Sequence, residues 1–334
     1  MPTIRDVAKM AGVAPMTVSR VINKSGYVSD ETRTKVEAAI KELGYVPNML
    51  GHSLRFKQTN TLALVLTDIT NPFWTTVARG VEDAAQKNEF NVILCNTDES
   101  ISKQEQYLTM LLKRRIDGIL LVPTSRDPKA VEQIQKQGIS VIVLDRGVCN
   151  VAVDVVRGDS VGGASQLTQH LIGLGHQHIA MLTGPKDVST AIDRVDGYKQ
   201  AMHEANLAQN HVYWGTFSSP SGYEMTKRAL ADDPKITAIL AANNFIAIGT
   251  LQAIREAGLK VPDDISVVSF GDIPPDINPD PFLTVVTHPT YEMGYQATLK
   301  LLTRISEENS TDFEEFILPT EVTVRRSSGP APLK

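Results

Sequence analysis

Two short apolar stripes at helical spacing open this chain, and the turn between them leaves few folds available. Val7, Ala8 and Ala11 form the first stripe, and Val18, Val21 and Ile22 the second. Gly12 lies between them, where the chain bends and a side chain would crowd the turn. Pro15 suits the first turn of a helix, because the N–H it lacks has no helical partner there. The second helix then carries Met16, Thr17, Ser19, Arg20 and Asn23 on its non-core face. This pattern predicts a helix-turn-helix, a motif whose second helix lies in the DNA major groove. Thr3 and Asp6 have near-capping-box spacing for the first helix, with Asp in place of the usual Glu or Gln. Ser29 can cap a third helix that runs to Leu43, and Gly44 ends it.

Charge agrees with one nucleic-acid-binding end. The whole chain of 334 residues has a net charge of −5. Residues 1–57, however, hold nine Lys/Arg against five Asp/Glu, a balance of +4, while the remainder holds 24 against 33, or −9. A basic head on an acidic body is the expected distribution. Cys95 and Cys149 are isolated and lack metal-ligand spacing, which points to free thiols in a reducing compartment. No apolar run approaches the ~20 residues needed to cross a bilayer, and no signal core precedes the helical pattern. A soluble cytoplasmic protein without a membrane partner is expected.

The pattern changes after the head. Residues 1–45 read as the helical domain and 46–60 as a linker, whose Asn48-to-Arg55 segment is long enough for two marginal helical turns. From Thr61, apolar runs at Leu62–Leu66, Val92–Cys95, Ile119–Val122 and Val141–Leu144 alternate with amphipathic helices. The alternation repeats at Ile179–Leu182, Ile236–Leu240 and Val267–Phe270. It predicts parallel sheets covered by helices, and the length of 61–334 suits two doubly wound lobes. The expected fold class is therefore a small all-α head plus an α/β body of two parallel-sheet lobes. Ligands in such folds sit at the carboxyl ends of strands.

The opening stretch also closely resembles the LacI family of bacterial transcription regulators. The likeness continues through Val28-Ser29, Thr32-Arg33, Val36 and Leu43-Gly44-Tyr45-Val46-Pro47-Asn48. Asn71-Pro72-Phe73, Asp117-Gly118-Ile119, Leu174-Gly175-His176, Gly197-Tyr198 and Val261-Pro262-Asp263-Asp264-Ile265-Ser266 extend it over nearly the whole chain. Each motif alone is weak, but their order and spacing are specific. The resemblance implies a periplasmic-binding-protein-like body, with strands crossing between lobes near 157–161 and 286–290. It implies a dimer on a pseudo-palindromic operator, controlled by a small effector in the interlobe cleft. The tetrameric members carry an added C-terminal heptad helix. The segment after Arg325-Arg326, with Pro330 and Pro332, does not suit one.

The family's DNA-facing positions fall on Thr3, Ala14, Pro15, Met16, Thr17, Ser19, Arg20, Asn23, Asn48, His52, Leu54 and Arg55. An Arg20 fork can donate to O6 and N7 of guanine, worth about 1–3 kcal/mol of discrimination. Thr17, Ser19 and Asn23 suit phosphates, which orient the protein without reading sequence. Pro15 and Met16, at the main specificity positions, offer only apolar contact. Ala14 replaces the usual Ser and loses a helix cap, at roughly 1 kcal/mol. The resemblance implies that Leu54 of each protomer wedges into the minor groove and kinks it, with Arg55 beside it. Gly51 replaces the usual Ala there and weakens the hinge helix by roughly 0.5–1 kcal/mol.

In the cleft the resemblance nominates Asn71, Phe73, Trp74, Asp145, Arg146, Arg194, Asn243 and His288. Asp272 is a further candidate. The family's ligand-facing Asp is Gly271 here, its Asn-Asp pair is Asn243-Asn244, and its Asp-Asn before the Gly-Gly turn is Gly158-Asp159. Fewer carboxylates beside two arginines predict a donor-rich pocket, slightly favouring a sugar acid or sugar phosphate over a neutral pentose. Asp272 could restore the missing acceptor and keep a neutral sugar in play. No P-loop or complete dinucleotide fingerprint occurs, and no cofactor is expected. Two rival readings are a transport-type sugar-binding protein and a hydrolase using Ser160 of Gly158-Asp159-Ser160-Val161-Gly162. The first needs a leader and no DNA head. Such short patterns arise by chance, and small residues opening the helix that leads to His170-Leu171-Ile172 account for the second better. His176-Gln177-His178 reads as a helix-exit turn rather than a metal site, and no catalytic or metal-binding residues are assigned.

Overall fold

The computed structural model describes residues 2–23, 25–46, 59–207, 211–272, 280–307 and 312–332. The chain divides into two units, Met1–Thr59 and Asn60–Lys334.

The first unit holds three helices: α1 (Ile4–Ala11), α2 (Pro15–Ile22) and α3 (Asp30–Leu43). Asp6 N–H donates to the Thr3 hydroxyl and Thr3 N–H donates to the Asp6 carboxylate, so a capping box starts α1 with Asp as the acid. Gly12, at φ +66°, makes the left-handed turn that ends it; a Cβ there would meet nothing within 4 Å, so the backbone conformation rather than crowding calls for glycine. Pro15 is the first residue of α2, and Ala14 before it supplies no side-chain cap. Ser29 caps α3 through Thr32 N–H. Val7, Ala8, Val18, Val21, Val36 and Ala39 are buried together at the centre.

The second unit is two six-stranded sheets. The N-terminal lobe contains β1 (Thr61–Leu66), β2 (Asn91–Asn96), β3 (Gly118–Leu121), β4 (Ser140–Leu144), β5 (Asp154–Gly158) and β11 (Glu315–Leu318), in the order β11-β5-β4-β3-β1-β2. All its pairings are parallel. Its helices are α4 (Pro72–Lys87), α5 (Ile101–Arg114), α6 (Lys129–Lys136) and α11 (Thr290–Ser306). The C-terminal lobe contains β6 (Ile179–Thr183), β7 (Val212–Trp214), β8 (Ala238–Ala241), β9 (Ser266–Phe270), β10 (Thr284–Thr287) and β12 (Glu321–Thr323), in the order β12-β10-β9-β8-β6-β7. Only β12 runs antiparallel to its neighbour. Its helices are α7 (Ser160–Gly173), α8 (Ser189–Glu204), α9 (Ser219–Asp232) and α10 (Asn244–Glu256).

β1 shows why such strands read as unbroken apolar runs. Leu62, Leu64 and Leu66 join the core under α4 and α11, while Ala63 and Val65 join the one under α5 and α6. Helix pairs close over the sheets at small residues. A Cβ at Gly80 of α4 would stand 2.1 Å from the Tyr291 carbonyl of α11, and one at Gly294 would stand 2.1 Å from the Val77 carbonyl. Only glycine permits that approach.

The chain crosses between lobes three times. β5 leads into α7 of the other lobe, β10 leads back to α11, and β11 leads out again to β12. The family resemblance implies the first two; the crossing between Leu318 and Glu321 comes as an addition. Cys95 and Cys149 are free, and burial pushes the Cys95 thiol up to about 11. Among the described residues, no helix is long and apolar enough to cross a membrane.

Candidate functional site

On the head, Thr3, Ala14, Pro15, Met16, Arg20 and Asn23 are exposed, and Thr17 and Ser19 are half-buried. Met16 remains 62 % exposed although Val18 and Val21 of the same helix are buried, so α2 presents an apolar side chain on its outer face. Some polar groups there already have local partners. The Thr3 hydroxyl serves the α1 cap, and the Asn23 amide donates to the Ser19 hydroxyl at 3.2 Å. Asn48, His52, Leu54 and Arg55 lie outside the described residues, as does Gly51.

In the body, all nine nominated effector residues line one cleft between the lobes, at the carboxyl ends of the strands. Asn71 follows β1 and caps α4 through Phe73 N–H at 3.1 Å. Asn243 follows β8 and caps α10 through Ile246 N–H at 2.8 Å. Asp145 and Arg146 follow β4, Asp272 follows β9, His288 follows β10, and Arg194 reaches in from α8. The aromatic wall is built by edge-on and tilted contacts. Phe73 meets Trp74 at 4.7 Å and His288 at 5.5 Å, and Phe270 meets His288 at 5.0 Å.

Several buried polar atoms in the cleft have no partner among the described residues. These are Asp145 Oδ1, Arg146 Nε, Arg194 Nε and His288 Nδ1. Buried polar atoms normally pair, so this cluster is suited to a polar ligand. Asp145 sits at φ +60°, a left-handed conformation that Asp tolerates better than most residues and that aims it off the end of β4. Burial raises its carboxyl above the ordinary value, against the pull of Arg194 and Arg146. Burial lowers the Arg194 guanidinium to about 10, leaving it charged at neutral pH. It lies 4.1 Å over the Phe270 ring and donates to the Ala242 carbonyl at 2.7 Å. Burial, and then the charge of Arg194, hold His288 down at about 3, so it is neutral. His288 also explains Gly158: a Cβ there would stand 2.1 Å from His288 Nδ1.

The premise of a donor-rich pocket does not hold. Glu99, beyond the carboxyl end of β2, accepts from both terminal nitrogens of Arg146, at 2.7 and 2.6 Å. Arg146 also donates to the Pro123 carbonyl at 3.1 Å. One of the two arginines is thus neutralised by an acid that the family positions do not nominate. Asp68 lines the cleft as well, and its carboxylate receives the Thr70 N–H and hydroxyl. Asp272 lines the cleft with its carboxylate paired to Arg325 rather than free to swing inward. Asn244, Phe217, Thr190 and Thr287 also line it. Glu99 has a positional signal, since it follows a strand on the same side as the nominated residues.

Two amides bridge the cleft. The Asn71 amide donates to Asn244 Oδ1 at 3.1 Å and the Asn244 amide donates back to Asn71 Oδ1 at 3.0 Å. Arg157 of the N-terminal lobe pairs with Asp193 of the other at 2.5 Å, and Gly147 N–H donates to the Ser189 hydroxyl at 2.7 Å. Ser160, by contrast, is 2 % exposed, its hydroxyl has no partner among the described residues, and it is not part of the cleft lining. A nucleophile needs a base within hydrogen-bond reach, and among the described residues this hydroxyl has none.

Residues 3–48 match the family described as bacterial regulatory proteins, lacI family, and residues 59–325 match the periplasmic binding proteins and sugar binding domain of LacI family. The chain belongs to the LacI family. This LacI-family chain therefore joins a DNA-binding helix-turn-helix to a periplasmic-binding-protein-like body, as transcription repressors of the family do. It is 38 % identical to the ribose operon repressor of Halalkalibacterium halodurans, over 98 % of this chain and 97 % of that one. It is 35 % identical to the transcriptional repressor PurR of Histophilus somni, over 98 % of this chain and 99 % of the relative. Among solved structures, the lac repressor dimer bound to operator and an anti-inducer is similar, with a TM-score of 0.86 at 26 % identity. That likeness covers 98 % of this chain and 99 % of the other.

Proposed function

We propose that this LacI-family repressor senses a neutral aldopentose of the ribose type in the interlobe cleft. It acts as a dimer on a pseudo-palindromic operator, in the cytoplasm and without catalysis. The observation that carries the effector reading is the Glu99–Arg146 pair. It removes one arginine as an anion receptor and leaves a mixed set of donors and acceptors, with Asp145 Oδ1 and Arg194 Nε unpartnered among the described residues. Sugar hydroxyls both donate and accept, so they can satisfy such a set, while Phe73 and Trp74 offer apolar faces to the ring. The likeness to a ribose operon repressor supports the same class. The likeness to PurR makes a purine the competing ligand to be tested.

On the DNA side, Arg20 reads a guanine, and Met16 and Pro15 press on the groove edge. Thr17, Ser19 and Asn23 bond phosphates, Thr3, Ala14, Asn48 and His52 are further DNA-facing positions, and Leu54 wedges into the minor groove with Arg55 near its phosphates or bases. Two-fold symmetry of the dimer matches two half-sites. By linkage, an effector that weakens operator binding is itself bound less well by the DNA complex.

Titration calorimetry of the full chain with ribose, ribose 5-phosphate, gluconate and hypoxanthine tests the effector reading. Saturable binding of ribose alone is expected. Binding of either anion or the purine without a response to ribose overturns it. Operator mobility shifts with and without the bound ligand test the regulatory reading. Unchanged operator affinity would show that the cleft does not report to the head.

A further inference from the structure

We propose that His178, His211 and Asp233 form a divalent-metal site, of the zinc class, on the C-terminal lobe at the end away from the cleft. His178 immediately precedes β6, His211 immediately precedes β7, and Asp233 follows α9. The three come from places 33 and 22 residues apart in the chain, and the parallel pairing of β6 with β7 brings them together. Their ligand atoms lie within 4.8 Å of one another. His178 Nδ1 is 2.8 Å from Asp233 Oδ2, and His211 Nε2 is 3.3 Å from the same oxygen.

Three features suit a metal rather than an incidental contact. First, the 3.3 Å between His211 Nε2 and Asp233 Oδ2 is close to the roughly 3.4 Å between nitrogen and oxygen ligands about 2.1 Å from a tetrahedral zinc, and His178 Nδ1, at 2.8 Å from the same oxygen, is near enough to share the ion. Second, Asp233 is oriented: its other oxygen accepts Lys235 N–H at 2.9 Å, which aims Oδ2 at both imidazoles. Third, the backbone of each ligand is anchored in the lobe. The His178 carbonyl accepts Thr237 N–H, the His211 carbonyl accepts Met181 N–H, and Asp233 N–H donates to the Ala229 carbonyl. Little has to be ordered when an ion binds. Each imidazole would ligate through the nitrogen now facing Asp233 and carry its proton on the other ring nitrogen.

Two imidazoles and a carboxylate select zinc, cobalt, nickel or copper over magnesium or calcium. His178 is 40 % exposed, so solvent can fill a fourth position. The site would tie the three-residue edge strand β7 to β6 and to the end of α9, a clasp on the lobe rather than part of the effector machinery. Neighbouring His176 takes no part. It is buried and bonded to Thr237, Ser266 and the Gly329 carbonyl.

The test is metal titration of the full chain stripped with EDTA. Zinc is followed by calorimetry and cobalt by its visible absorption, which is strong for four-coordinate ions. One ion per chain is expected. His211→Ala should weaken binding by more than about tenfold, the loss that removal of even an outer partner of a metal ligand can give. The variant His178→Ala/His211→Ala should abolish it while effector affinity and circular dichroism stay as in the parent chain. Zinc should raise the melting temperature of the parent chain and not of the double variant. Absence of saturable binding overturns the proposal. So does binding unchanged in the double variant, because other side chains would then hold the ion.

Discussion

Replacing Glu99 by Gln separates the charge of the Glu99–Arg146 pair from its shape. Arg146 is 5 % exposed at its side chain and Glu99 38 %. Breaking a fully buried ion pair by removing one partner costs about 3–5 kcal/mol. Glu99 is partly solvated, and the amide oxygen of the introduced glutamine can still accept one guanidinium hydrogen bond. The cost should therefore fall to about 2 kcal/mol, toward the charge-assisted hydrogen bond that is lost. With a urea slope near ~3 kcal/mol/M, that moves the unfolding midpoint down by roughly 0.7 M. The same change leaves the Arg146 charge beside the cleft without its carboxylate partner Glu99. A phosphate or carboxylate that reaches it gains a charge-assisted hydrogen bond of about 1.5–3 kcal/mol. Affinity for ribose 5-phosphate should then rise relative to ribose by roughly tenfold to a hundredfold. Urea melts and paired titrations measure both quantities. An unchanged midpoint would mean that the pair contributes nothing in solution. A lower midpoint with an unchanged ratio of affinities would mean that Arg146 does not address the ligand.

Protonation, packing and base readout can each be probed separately. His288, held neutral down to about 3, is protonated in the unfolded chain below its ordinary value of 6.5. Its contribution to stability is full above that value and is lost as pH falls toward 3, by about 2 kcal/mol between pH 7 and 5. In His288→Gln the fall in unfolding free energy between pH 7 and 5, measured by urea melts, should be smaller by this amount, and an identical fall would count against a buried neutral imidazole. Gly80→Ala forces a methyl against the Tyr291 carbonyl and should cost more than about 2 kcal/mol as α4 and α11 separate; a neutral effect on thermal unfolding would refute that packing. Arg20→Ala should relax base preference at one position per half-site by about 1–3 kcal/mol, read by binding to a library of operator variants. Uniform weakening across the library would instead assign Arg20 to phosphate.

What can be read from the chain itself follows how local the physics is. The caps at Thr3 and Ser29 and the turn at Gly12 involve neighbours within a few residues, so spacing suffices to find them. β1 is legible because both of its faces are buried. β11 is not, because Phe316 and Ile317 are about half exposed and nothing in Glu315–Leu318 alternates. The cleft residues are reached through family positions, and the structure brings all nine to one place. Their electrostatics are not. Arg146 and Glu99 are 47 residues apart, and only the rim of the sheet that carries β2 and β4 makes them partners. Asp272 is likewise tied to Arg325, 53 residues away. The His178, His211 and Asp233 cluster is invisible to spacing for the same reason.

The threefold crossing between lobes bears on how the chain is made. Neither lobe is a continuous stretch: Val155 of β5 is in register with Glu315 of β11, across most of the body. During synthesis the segment from Ser160 to Thr287 can assemble nearly all of the C-terminal sheet before α11 and β11 exist. The N-terminal lobe, begun first, waits the longest with the edge of β5 and the face beneath α11 unfilled. Pairings of such long range close slowly, and a chain arrested there displays a sticky strand edge and an uncovered leucine layer. The vulnerable interval in the life of this regulator is therefore the synthesis of the stretch from Thr290 to Leu318. Truncations removing β11 should yield aggregates rather than a tidy half-protein.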